Sequence, residues 1–298
     1  MAAIWGNTPM VELTKYKHNN VRIFAKLEGI SMGGSIKDRI GMWFVHNAHS
    51  SGILEKNKIL IEATSGNTGI GLSLACIQYG YRCKLLVPKI TAKQKVLTMK
   101  AYGADVELID GDIDECIGLV EVMSNKSDKY VWLNQYDNMM SIDCHYNTTA
   151  PEIYNWMDDY YSFCDWNTLS LEEHHNILVC GMGTTGTIMG LSFYLKPKGW
   201  KIIGVIPQWH SHLEGLKNLE IQRVPQIFNK KMIDKQFAIS DNEAKSMCQE
   251  LARVEGLLVG PSSGAAMCGA LMAANEQHWK KKTNIVVIFP DRGDRYLC

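Results

Sequence analysis

The chain has 298 residues, too many for one small core and too few for several, so one large or two closely joined domains of enzyme size are expected. Apolar residues make up 46% and charged residues 21%, with formal net charge zero, the balance of an ordinary globular protein. That balance gives no electrostatic case for nucleic-acid or membrane partners and leaves small-molecule work as the default.

The opening Met1-Ala-Ala-Ile-Trp-Gly-Asn-Thr-Pro9 carries no basic segment followed by an apolar stretch, and no later run is apolar for about 18 residues. A cytoplasmic location is the expectation. The nine cysteines are scattered, with no C-x-x-C and no Cys/His cluster at zinc spacing. Neither a disulfide framework nor a metal site is therefore expected. The cysteines read as core thiols, and Cys298 is assigned no role.

In chain order, the first stretch that bears chemistry is Gly34-Ser-Ile-Lys-Asp-Arg39, a lysine among small residues ahead of an apolar, aromatic helix predicted over Ile40 to Ala48. Lys37 is either a solvated charge or, beside a phosphate loop, a Schiff-base nucleophile whose lone pair burial would free. A strand is predicted over Lys58 to Ile61 and a helix over Ile70 to Tyr79. Between them Thr64-Ser-Gly-Asn-Thr-Gly69 offers hydroxyl and amide donors, either as a carboxylate-binding loop or as a plain strand-to-helix turn. Strands follow over Cys83 to Val87 and Val106 to Ile109, and the polar patch Ser124 to Lys129 reads as a loop before another strand.

An aromatic and acidic stretch around Tyr154 to Glu173 separates this group from a second one. There a strand over Asn176 to Cys180 runs into Gly181-Met-Gly-Thr-Thr-Gly-Thr187, whose backbone N–H groups lie where a helix begins and a phosphate is stabilised. The same letters fit the dinucleotide fingerprint G-x-G-x-x-G. A dinucleotide site, however, wants an acid at the end of the next strand, and that strand, Lys201 to Ile206, runs on into Pro207-Gln208. The missing acid and the hydroxyls of Thr184, Thr185 and Thr187 suit a phosphate monoester instead. The segment Asp241 to Glu255 is an amphipathic helix, with Ser240 and Glu243 as a capping box and Gly256 as its stop. Gly260-Pro-Ser-Ser-Gly264 matches the G-x-S-x-G of serine hydrolases, but the acids Asp291 and Asp294 follow the only later histidine, His278, the wrong order for that triad. The alternative is a hydroxyl at a strand end that faces a heterocyclic nitrogen. A last strand is predicted over Asn284 to Phe289.

Strands alternating with helices at this spacing imply parallel sheets covered on both faces, so the class is α/β, with two lobes and a cleft between them. Taken together, Gly-Ser-Ile-Lys-Asp-Arg at 34 to 39, Thr-Ser-Gly-Asn-Thr-Gly at 64 to 69, Gly-Thr-Thr-Gly-Thr at 183 to 187 and Ser-Ser-Gly at 262 to 264 resemble the cysteine synthase family, in order and in spacing. These are fold-type II pyridoxal phosphate enzymes, similar in fold to the tryptophan synthase β chain. The stretches at 61 to 70 and 182 to 188 look more like the B branch than the A branch.

The resemblance implies pyridoxal 5′-phosphate as cofactor, bound covalently by Lys37. Gly183, Thr184, Thr185, Gly186 and Thr187 would hold its phosphate, Asn67 its 3′ oxygen, and Ser262 would face its pyridine nitrogen. Thr64, Ser65, Thr68 and Gln135 would bind the substrate carboxylate. It further implies a smaller mobile lobe over 38–140, a larger cofactor-binding lobe made of 1–37 with 141–298, and a homodimer. The implied reaction is replacement of the acetoxy group on Cβ of O-acetyl-L-serine by sulfide, giving L-cysteine and acetate, with Lys37 moving the α-proton. Cystathionine or lanthionine synthesis, cysteine desulfhydration, and use of O-phosphoserine or thiosulfate keep the same motifs. B-branch relatives tend to carry arginines where this chain has Lys217 and Asn218, which argues against the last two.

Overall fold

The computed structural model of the chain describes residues 5–16, 20–163, 171, 174–221, 224–275 and 282–297. The chain opens with β1 (Met10–Glu12) and β2 (Val21–Leu27). Next come α1 (Lys37–Ser50), β3 (Ile59–Ala63), α2 (Asn67–Tyr79), β4 (Arg82–Pro88), α3 (Lys93–Ala101), β5 (Asp105–Ile109), α4 (Ile113–Lys126) and β6 (Tyr130–Trp132). After α5 (Met140–Asn147) and α6 (Thr149–Phe163) follow β7 (His175–Gly181), α7 (Gly186–Leu195), β8 (Lys201–Pro207), β9 (Lys235–Ile239), α8 (Asp241–Val254), α9 (Pro261–Asn275) and β10 (Thr283–Phe289). Two compact units result, one of Met1–Trp5 with Ser31–Ser141 and one of Gly6–Ile30 with Ile142–Cys298.

The unit built on Ser31–Ser141 carries a four-stranded sheet in the order β5-β4-β3-β6, parallel throughout. Successive side chains of a strand point to opposite faces. Thus Ile61, Ala63 and Leu86 pack with Cys116, Ile117 and Val120 of α4, while Leu85 faces the opposite way, toward Gly69 on α2. Covering both faces suits a parallel sheet, whose connections must cross over it.

The other unit carries six strands in the order β1-β2-β10-β7-β8-β9, parallel except for the antiparallel β1–β2 pair. Ile177, Val179, Val205, Ile285 and Val287 on one face pack with Ala265, Ala266 and Ala270 of α9 and Leu251 of α8. Phe24, on the opposite face, meets Trp156 and Tyr160 of α6 edge-on. All seven residues of β10 are buried, as expected of a central strand covered on both sides.

The α/β class with mostly parallel sheets is as the alternation of elements implies. Several boundaries differ. Ser124–Lys126 continue α4 and are not loop, because the Asp112–Glu115 capping box starts a helix whose Cys116, Ile117 and Val120 bury on the sheet. The helix after the lysine begins at Lys37 and not at Ile40, and α2 begins at Asn67 and not at Ile70. The division of the chain falls at Ser31, so Lys37 sits with the smaller sheet. In the aromatic and acidic stretch, Tyr154–Phe163 belongs to α6. Residues 164–170, 172, 173, His278 and Cys298 lie outside the described residues. Five of the described cysteines are buried, in keeping with core thiols.

Candidate active site

In an open parallel sheet, ligands bind beyond the carboxyl ends of the strands, at the place where the strand order reverses. In the four-stranded sheet the chain leaves β3 toward β4 on one side while β6 lies on the other. The loops after β3 and β6 therefore meet at a reversal point, and both carry candidate residues. Thr68 donates its hydroxyl to Gln135 Oε1 at 2.6 Å, and Gln135 Nε2 donates to the Ala63 carbonyl at 2.9 Å. Thr64 Oγ1 accepts from the backbone N–H of Gly66 at 3.1 Å and of Gly69 at 3.2 Å. Thr64, Thr68 and Gln135 are buried, Asn67 is half-buried in the first turn of α2, and Ser65 is exposed at the tip of the loop.

Lys37, in the same unit, is the first residue of α1 and half-buried. The turn before it is tied down by Asp38, whose Oδ2 accepts from Gly33 N at 2.6 Å, and by Ser35, whose hydroxyl oxygen accepts from Lys37 N at 3.2 Å. A methyl group at Gly71 of α2 would collide with the Lys37 carbonyl, and one at Gly41 of α1 would collide with the Gly71 carbonyl. Two bare glycines thus let α1 and α2 touch backbone to backbone, which fixes the start of α1, where Lys37 stands, against α2.

The second reversal point lies between β7 and β10 in the six-stranded sheet. There Met182–Thr185 leads from β7 into α7. Thr185 caps α7 in the left-handed region, at φ 66°, without a side-chain capping bond. It is 3% exposed, and its Oγ1 is buried with no hydrogen-bond partner. A threonine in that conformation is strained, and an unmade buried hydroxyl bond costs about 1–3 kcal/mol. Gly183 lies so close to the Gly215 carbonyl that a Cβ would collide with it. Thr184 and Thr187 are half-buried and Gly186 is buried. The Thr187 hydroxyl lies 3.1 Å from His145 Nε2. Five consecutive residues therefore form a helix-start cradle that keeps a strained, unspent hydroxyl, as a site made for an anionic ligand would.

Ser262 is buried, with its Oγ 4.0 Å from the position a Cβ would take on Gly215, so it borders the same short loop as Gly183. It does not stand at a strand end. Leu257–Val259 make only an isolated bridge from Val259 to Arg292, and Ser262 lies inside the first turn of α9. The strand-to-helix elbow that a hydrolase nucleophile needs is therefore not built here.

Three further residues at these places belong to none of the motifs. Glu62 of β3 is fully buried and accepts from Trp132 Nε1 at 2.9 Å, Ala63 N at 3.0 Å and Gln135 N at 3.3 Å. Burial pushes its carboxyl up to about 7 against the pull of those donors. A lone acid inside the otherwise apolar strand Ile59–Ala63 is the signal that could have found it. Lys95 of α3, 2% exposed, runs its stem under Gly66, with Nζ 3.4 Å from where a Cβ would stand there. His145 of α5 is the third.

Among the described residues no cluster of His, Cys, Asp or Glu could hold a metal ion, and no helix is long and apolar enough to cross a membrane. The donor set at Gly183–Thr187, hydroxyls and helix-start N–H groups around a buried unpartnered oxygen, fits a phosphate monoester such as that of pyridoxal phosphate. The family described as "Pyridoxal-phosphate dependent enzyme" matches residues 2–291. Cysteine synthase B of Salmonella typhimurium is 36% identical over 297 residues, covering 98% of this chain and 92% of its own. The O-acetylserine dependent cystathionine beta-synthase of Bacillus subtilis is 33% identical, covering 98% of this chain and 94% of its own. A solved hydrogen sulfide-producing enzyme from Fusobacterium nucleatum superposes with a TM-score of 0.87 at 31% identity, over 99% of this chain and 98% of that one. With two crossover sheets, a helix-start cradle at one reversal point whose donors fit a phosphate, and full-length similarity of this extent, the chain belongs to the pyridoxal-phosphate-dependent enzymes of the cysteine synthase family.

Proposed function

We propose that this enzyme replaces the acetoxy group of O-acetyl-L-serine with sulfide, giving L-cysteine and acetate. The observation that carries the reading is the full-length similarity to cysteine synthase B. Bound pyridoxal phosphate supplies the electron sink that acidifies the substrate's Cα–H and lets a β-substituent depart. Lys37 is the covalent anchor for that cofactor and the proton carrier. Its Nζ takes the proton from Cα, the Cβ–O bond breaks with its electron pair leaving on acetate, hydrosulfide forms the Cβ–S bond, and Lys37 returns the proton to Cα.

Gly183, Thr184, Thr185, Gly186 and Thr187 hold the cofactor phosphate, and Asn67 meets its 3′ oxygen. Ser262 donates to its ring nitrogen; a serine leaves that nitrogen unprotonated, a shallower sink that favours prompt loss of the leaving group over transamination. Thr64, Ser65, Thr68 and Gln135 receive the substrate carboxylate, the Thr68–Gln135 bond being the one that must open for it.

Sulfide is favoured over thiosulfate or O-phosphoserine by the fate of Asn218. Its Nδ2 donates to the Pro207 carbonyl at 3.1 Å and its Oδ1 accepts from Glu220 N at 3.0 Å, so it is 6% exposed and structural. No bidentate fork for an anionic group stands at that position. The same family likeness supports a cytoplasmic homodimer as part of this proposal. The test is product analysis of the cofactor-loaded protein with O-acetylserine and, in parallel, sulfide, thiosulfate or homocysteine, and with cysteine alone. Cysteine from sulfide should be the fastest product. Faster cystathionine formation from homocysteine, or faster sulfide release from cysteine, would reassign the reaction within the family.

A further inference from the structure

The phosphate cradle is backed by a histidine that no part of the reaction described above uses. His145 of α5 is fully buried, and both ring nitrogens are engaged by hydroxyls: Nε2 lies 3.1 Å from Thr187 Oγ1, and Nδ1 lies 2.8 Å from Oγ1 of Thr149, the first residue of α6. Thr149 is also fully buried. The approach is built into the backbone. A Cβ at Gly190, one turn along α7 from Thr187, would stand 2.6 Å from the Ile142 carbonyl and 2.7 Å from His145 Cβ, so only a glycine lets α7 lie this close to α5. Three elements, α5, α6 and α7, thus converge on one imidazole.

We infer that His145 is a positioning residue that aims the Thr187 hydroxyl proton at the cofactor phosphate. The inference rests on the pyridoxal phosphate reading of the Gly183–Thr187 cradle. A hydroxyl has one proton to give, and a phosphate oxygen offers only lone pairs, so Thr187 must donate to the phosphate and accept from its other neighbour. That neighbour is His145, which then carries its proton on Nε2 and accepts on Nδ1 from the Thr149 hydroxyl. The chain runs in one direction, from Thr149 O–H to Nδ1, from Nε2–H to Thr187 Oγ1, and from Thr187 O–H to the phosphate. Each bond polarises the next in a buried, low-dielectric setting. Without the imidazole, the Thr187 hydroxyl is free to turn away, and the phosphate loses an oriented donor.

The experiment compares the affinity of the apo-enzyme for pyridoxal phosphate and for pyridoxal, which lacks the phosphate, in wild type, His145→Phe, His145→Gln and Thr149→Val. Binding is followed by cofactor absorbance and quenching of intrinsic fluorescence. His145→Phe should weaken pyridoxal phosphate binding about tenfold while leaving pyridoxal binding unchanged. His145→Gln, whose amide can still donate toward Thr187, should recover much of the loss, and Thr149→Val should cost about threefold. In a Thr187→Val background, His145→Phe should cost nothing more. Equal weakening of both ligands, or additivity with Thr187→Val, would make His145 a packing residue and overturn the inference. The Thr149→Val and His145→Gln arms decide the matter if His145→Phe does not fold. Wild-type protein that failed to bind pyridoxal phosphate would instead overturn the cofactor reading itself.

Discussion

The two strand-to-helix loops of this enzyme are alike in sequence style and opposite in how their hydroxyls are engaged. In the loop after β3, Thr64 Oγ1 accepts two backbone N–H groups and the Thr68 hydroxyl is given to Gln135. In the loop after β7, the Thr185 hydroxyl is buried, strained at φ 66° and unpartnered. The first loop closes on itself and must exchange partners when a ligand arrives. The second is incomplete by itself and already shaped. Such a difference is what a turning-over substrate and a resident cofactor would respectively require, since a preorganised donor favours tight retention and a self-satisfied loop favours release.

The largest test of this contrast is Lys37→Ala. Loss of the proposed anchor and proton carrier should lower kcat at least about a thousandfold, measured as cysteine formed per minute, while the proposed phosphate recognition at the second loop survives. Next comes Thr185→Val, which keeps the shape but deletes the unspent hydroxyl. Affinity for pyridoxal phosphate should fall about 10- to 100-fold, the worth of a hydrogen bond to a charged group, whereas the melting temperature of the apo-protein should hold or rise. A drop in apo stability would mean that the hydroxyl is already satisfied. For the first loop, Gln135→Ala should raise KM for O-acetylserine about tenfold with little change in cofactor affinity.

The smallest effect concerns Glu62, which holds the Gln135 backbone. Its carboxyl is raised to about 7, chiefly by burial. The folded protein therefore keeps a proton that the unfolded chain loses in the ordinary carboxylate range. In that window the native state binds more protons, so stability falls as pH rises, from about pH 5 to about pH 7, and the cost is complete above it. Glu62→Gln should flatten this slope in a series of melting temperatures against pH. An unchanged slope would place the titration elsewhere.

What the sequence made legible was local. The Gly183–Thr187 cradle and the α8 capping box are spelled by neighbouring residues, and Ser240 and Glu243 bond each other's backbone as their spacing implies. What it hid depends on distant partners. The strand β2 contains Lys26, a poor sign for a buried strand, but Lys26 is buried because Glu152, 126 residues away, pairs with it at 2.8 Å. His145 meets Thr187 across 42 residues, and Glu62 meets Trp132 across 70. Ser262 sits in the first turn of α9 and not at a strand end because Leu257–Val259 has the apolar run of a strand without a ladder to join.

The most direct measurement is the visible spectrum of the cofactor-loaded protein on adding O-acetylserine without any sulfur donor. The cofactor band should move to longer wavelength in wild type, return on adding sulfide with cysteine appearing in step, and stay still in Lys37→Ala. A band that does not respond to O-acetylserine in wild type, or that responds equally in Lys37→Ala, would contradict the proposed β-replacement and the role of Lys37 in it.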